Sequence, residues 1–222
     1  MLARPAYYTL LSSLPALPPR FDVERCPITR SRLEQRLQML SPDDAMVLNR
    51  LLDFLAWDRQ PLEQSDQDVI TNYQALIDTI RHPLLREFID DHMDRRTILS
   101  ALRRRRQGGG APPGVGRLAE PIRRRWNQPL FGLETRFPWI AEADRLLAVG
   151  AARELEKLIL AISWTRWSRE ASHRHFSFEA VLLYVARWAI VHRWTSQNAI
   201  AGRERFESLL ETLLEDHVHF DN

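Results

Sequence analysis

Two short runs of arginine are the residues best placed to do chemistry in this chain: Arg103, Arg104, Arg105 and Arg106, then Arg123, Arg124 and Arg125. A guanidinium stays charged and presents five N–H donors in a planar fork, so it suits phosphate and carboxylate groups. Arg96 stands upstream of the first run on the same segment. Together these side chains are the candidate partner-binding residues. Clustered arginine can neutralise phosphates, which makes nucleic acid one candidate partner. Arginines in the last turn of a helix also favour the negative end of its dipole, which needs no partner at all.

Other reactive groups lack the spacing their chemistry requires. His173 and His175 stand at i,i+2, on different faces of a helix or strand, and His217 and His219 repeat that spacing. A helical zinc site uses i,i+4 histidines with a glutamate. Cys26 is the one cysteine, so neither an internal disulfide nor a cysteine zinc site is expected. No G-x-S-x-G elbow occurs, and Cys26 beside Pro27 has no local activating pattern. The glycine-rich stretch 108–116 lacks the lysine and hydroxyl residue of a phosphate loop. The expectation is a protein that is not an enzyme, with no metal, no cofactor and no small-molecule substrate. The formal charge of +2 gives no strong global field, and no helix-turn-helix or RNA-binding motif is present.

The elements that must position the arginines read as helices. Thr29 caps a helix running to Leu40, and Ser41-Pro42-Asp43-Asp44 starts another that should reach about Arg59. That helix should bury Met46 or Val47, Leu51, and Phe54 or Leu55. Ser65-Asp66-Gln67-Asp68 resembles a capping box, opening a helix with Val69, Tyr73, Leu76 or Ile77 and Ile80 inward. Pro83 then opens one long helix to Arg106. Leu85, Phe88, Ile89, His92 and Leu99 share a face there, with Arg96 among them, and Asp90 and Asp94 lie on the other side. Arg86 with Asp90, and Asp91 with Arg95, are opposite charges at i,i+4. The stretch 108–116 is a flexible Gly/Pro loop.

Further helices are expected within 117–126, 139–149 and 151–172, with a bend at Gly150, and an amphipathic one over 204–216 beyond Gly202. The most apolar runs from Phe178 to Asn198, with Val181, Leu182, Val185, Trp188, Ala189 and His192 inward. Trp164, Trp167, Trp188 and Trp194 alternate with arginines, as core or as interface anchors. Ala6 to Leu14 reads as a short strand or extended strap, and the prolines after it keep the chain extended. The fold class is all-α: an antiparallel helical bundle or two stacked small bundles, with an extended N-terminal strap. Residues 1–222 form one helical domain. No run reaches the roughly 18 apolar residues of a membrane helix, and Met1 to Pro19 has no signal-peptide pattern, so a cytoplasmic protein is expected.

Two stretches resemble known proteins. Asp91-x-x-Asp94-Arg95-Arg96-Thr97-Ile98-Leu99 is similar to the helix signature D-x-x-N-[hydrophobic]-[RK]-T-I-L-R of the C-type stalk component of V/A-type ATPases, the d-type in eukaryotic enzymes. Asp94 stands where asparagine is usual, Arg95 where an aliphatic is usual and Ser100 where the arginine is usual. Tyr7-Tyr8-Thr9-Leu10-Leu11-Ser12-Ser13-Leu14-Pro15 resembles the YYxLxxSLP opening of a small bacterial family linked to V-type ATPases. Phe178 to Tyr184, Arg193-Trp194 and Gly202-x-x-x-Phe206 resemble that family's C-terminal helix. The resemblance implies a helical, non-catalytic subunit or assembly protein linking central stalk and membrane rotor ring, and so serving proton or sodium transport. Its implied partners are those ATPase subunits, with peripheral membrane proximity at the inner face. The C-type component is a three-bundle funnel, so a chain this short implies part of the funnel.

Overall fold

The N-terminal segment expected to be extended instead begins as a helix. In the computed structural model, which describes residues 7–55, 66–112 and 116–197, α1 spans Tyr8–Ser13. Tyr7, Leu10 and Leu14 are buried at i,i+3,i+7, a helical spacing that wins over the strand preference of the aromatic pair. Ser13 Oγ donates to the Leu10 carbonyl at 2.7 Å. The chain leaves α1 extended at Leu14 (φ −87°, ψ 136°), and the prolines that follow keep it so, as expected. No strand occurs among the described residues.

The helices then follow in order: α2 Arg30–Leu37, α3 Pro42–Leu55, α4 Asp66–Thr79, α5 Pro83–Arg106, α6 Ala119–Arg124, α7 Trp139–Ala148, α8 Ala152–Ala171 and α9 over 178–197. Their starts have local causes. Thr29 accepts from the Arg32 N–H at 3.4 Å, and Ser41 Oγ from the Asp44 N–H at 3.3 Å. Pro83 occupies the first turn of α5. The glycines after α5 make a Schellman closure, with Gly109 N–H on the Arg104 carbonyl at 2.8 Å and Gly108 N–H on that of Arg105 at 3.1 Å. Gly108 takes φ +72° there, so the loop's first residues serve as a helix cap. On α3 the inward positions are Leu48 and Leu51, whereas Met46 is exposed. On α4 and just after it, Ile77 and Ile80 are buried. Ser65, the side chains of Leu55, Val69 and Leu76, and the stretch 204–216 lie outside what is described.

Two compact units result, 1–40 with 163–222, and 41–162; the boundary falls within α8. In the first unit α9 is buried nearly all round: Val181, Leu182, Leu183, Val185 and Val191 have no exposed surface. Ala189 and His192, expected inward, are half-buried. The tryptophans are core residues: Trp164, Trp167, Trp188 and Trp194 are all buried. They also satisfy the extended segment, whose carbonyls have no helix or sheet to pair with. Tyr184 Oη donates to the Pro15 carbonyl at 2.8 Å, Trp164 Nε1 to Pro19 at 3.3 Å and Trp188 Nε1 to Ile28 at 2.9 Å. Phe21 lies edge-on to Trp194, with centroids 5.7 Å apart.

His192 packs beside Trp188, centroids 4.8 Å apart. Burial, and then the charge of Arg30, hold its imidazole below the ordinary 6.5. A histidine held low in the folded state contributes stability that is full above the unfolded value and is lost as pH falls through it. Urea melts between about pH 5 and 7 should therefore show stability rising with pH, and His192→Gln should flatten that rise. Parallel slopes for the two proteins would contradict the placement.

The second unit packs around α5. Ile98, Ala101 and Leu102 of α5 meet Leu118 and Ile122 of α6, Phe131, and Ile140, Ala143 and Leu146 of α7 in one apolar cluster. The turn Pro129–Gly132 lies between α6 and α7, with Phe131 fully buried.

Candidate functional site: the arginine cluster and the polar face of α5

The last turn of α5 delivers the first arginine run to the turn and to α7. Arg105 donates through Nη1 to the Gln128 carbonyl, and its guanidinium lies 5.6 Å from the centre of the Phe131 ring. Arg106 grips Asp144 of α7 with Nε at 2.9 Å and Nη2 at 2.7 Å, and Nη2 also reaches the Asp144 carbonyl at 2.7 Å. From the second run, Arg125 Nη1 donates to the Gly132 carbonyl at 3.3 Å. Arg123 and Arg124 share Glu120 on their own helix, each at 2.8 Å. Their hydrogen bonds hold the Glu120 carboxyl below its usual range.

The structure thus gathers Arg105, Arg106 and Arg125 at one turn and turns Arg123 and Arg124 onto α6. Arg103 is exposed, and Arg104 and Arg96 are half-buried on α5. Part of the cluster's donor capacity is committed inside the chain, three of five N–H groups on Arg106 and one on Arg105. The acceptors could not be read from spacing, because Asp144 is 38 residues from Arg106 and Gln128 is 23 from Arg105.

The second polar group lies on α5 itself, and here the expected face is corrected. Asp94, expected on the side away from the apolar stripe, is buried, as are Asp91, Arg95 and Thr97. Asp91, Asp94 or Arg95, Ile98, and Ala101 or Leu102 repeat at helical spacing and enter the core together. Asp91 and Arg95 form the expected i,i+4 ion pair, one turn apart. Asp94 accepts from the Arg117 N–H and from its Nε, each at 3.0 Å. Burial still pushes the Asp94 carboxyl up, against the pull of Arg117. Asp90 accepts from Tyr73 Oη at 2.7 Å. Burial and that carboxylate push the Tyr73 phenol well above its ordinary value.

Gly116 lets the returning chain approach Asp94. It takes φ +88°, and a Cβ there would stand 3.0 Å from Asp94 Oδ1. Gly116→Ala should destabilise the fold by about 1–2 kcal/mol, through both strain and displacement of the carboxylate. Chemical denaturation measures it; an unchanged midpoint would show that the close approach is not maintained.

His173 and His175 are exposed, and His217 and His219 fall outside the described residues. Among the described residues no three histidine, cysteine, aspartate or glutamate side chains gather as a metal would need. No helix described is long and apolar enough to cross a membrane. The class defined by the fold is all-α. The chain matches no family model, no curated protein and no solved structure.

Proposed function

We propose that this chain is a non-catalytic helical subunit or assembly protein of a bacterial V/A-type ATPase. It would act between central stalk and membrane rotor ring, in the cytoplasm or at the inner face of the membrane, and so serve proton or sodium transport. One observation carries the reading beyond the motifs themselves. Of the stretches that resemble the ATPase-linked family, 7–15 and 178–184 are physical partners in the first unit. The Tyr7 N–H donates to the Phe176 carbonyl at 2.7 Å, the Tyr7 and Phe178 rings lie 6.4 Å apart, and Tyr184 holds the Pro15 carbonyl. Matches far apart in sequence therefore belong to one packed structure. In the stretch that resembles the C-type stalk component, Asp91, Thr97 and Ile98 are turned inward, which suits a signature that specifies a helix packing.

The nucleic-acid reading draws less support. Arg105, Arg106, Arg123, Arg124 and Arg125 all hold acceptors of this chain. Deletion of the gene tests the ATPase reading. Membrane vesicles from the deletion strain should lose ATP-driven ion uptake and carry less assembled ATPase. Unchanged uptake with an unchanged amount of assembled ATPase would count against it.

A further inference from the structure

A cleft of about 550 Å³ opens in the second unit between the end of α5, the Pro129–Gly132 turn and α7. Its lining is apolar at Leu102, Pro129, Leu130 and Ala141, and cationic at Arg105 and Arg106. Asp144 also lines it, already held by Arg106. The turn is unusual in its backbone: Leu130 takes φ 46° and Phe131 φ 59°. Such side chains rarely adopt left-handed backbone, and strain of this kind gathers at binding sites. Here the turn is held by Arg105 on the Gln128 carbonyl and Arg125 on that of Gly132.

We propose that this cleft docks an acidic, amphipathic peptide segment of a partner protein, with an apolar side chain on the apolar lining and carboxylates on Arg105 and Arg106. Charge selects the occupant. A guanidinium carries five N–H groups. Arg106 gives one from Nε and two from Nη2 to Asp144, and the bond from Arg105 to Gln128 uses one on Nη1. Arg105 retains Nε and Nη2 for a carboxylate in the paired geometry that arginine favours, and Arg106 retains the two N–H groups of Nη1 for single bonds. The exposed Arg103 on the same helix end adds to the positive field. The apolar lining favours a peptide over a nucleic acid. Phe131 is fully buried, so it offers no ring face for a base to stack on. The inference concerns the partner's chemistry and does not rest on the ATPase reading; peptide binding can fail where ATPase recovery succeeds, and the reverse.

The test uses the full chain and a fluorescein-labelled synthetic helix of glutamate, alanine and leucine, read by anisotropy. The comparison probes replace its glutamates with lysine or its leucines with serine, and a fourth is a single-stranded oligothymidine. Binding is expected for the acidic leucine peptide alone, weakening as salt rises. Arg105→Gln should weaken it by about tenfold. Ala141→Trp, at an exposed position on α7, fills the cleft without entering the core and should weaken it at least as much. Circular dichroism checks that both variants fold. No binding at low salt would overturn the proposal, as would equal binding of the lysine peptide, the serine peptide or the oligothymidine. Binding undiminished by Ala141→Trp would do the same.

Discussion

Trp188→Ala is expected to destabilise the protein by about 3–5 kcal/mol, read from denaturant melts. The indole is 5% exposed, packs beside His192 and donates to the Ile28 carbonyl. Its loss opens a cavity and leaves the Ile28 carbonyl with the weak thiol donor of Cys26 in place of the indole N–H. That is a large share of a typical stability of about 5–15 kcal/mol. Trp188→Phe should recover the packing and lose the hydrogen bond, so its cost should fall between parent and alanine. If Trp188→Ala melts like the parent, α9 is not the core of its unit.

Arg95→Met should cost about 3–5 kcal/mol, because it leaves the Asp91 carboxylate buried without its arginine. Both side chains are about nine-tenths buried, at 11% exposure each. Breaking one side of such a pair differs from removing both. The double variant Asp91→Leu with Arg95→Met should regain most of the loss, since well-packed apolar groups replace buried pairs at little net cost. The coupling between the two changes is the decisive quantity. Additive losses would mean that the pair does not act as a pair. A near-neutral Arg95→Met would mean that Asp91 reaches solvent.

Helix positions were legible because their signals are local. Thr29, Ser41-Pro42 and Pro83 mark starts where the chain supplies its own caps. Gly150, at φ +70°, separates α7 from α8 where a bend was expected. The burial of α9 was also legible from its apolar composition, although Ala189 and His192 of the expected face are only half-buried. Two features escaped. α1 is one and a half turns long, too short for its period to stand out against aromatic strand preference. On α5 the charged residues hid a second buried stripe, since Asp91 and Arg95 enter the core as an ion pair and Asp94 pairs with Arg117. The candidate site was half legible in the same sense. The arginine runs stand out in sequence, but what they hold is decided by Gln128 and Asp144, which tertiary structure alone brings near.

Recovery of the tagged protein from cells, with its bound partners identified by mass spectrometry, tests the central claim most directly. The purification must use a detergent and salt that keep the rotary ATPase intact. Central-stalk and rotor-ring subunits of a V/A-type ATPase should accompany the protein. Recovery with no ATPase subunit, while the intact enzyme is demonstrably present in the same extract, would contradict the claim.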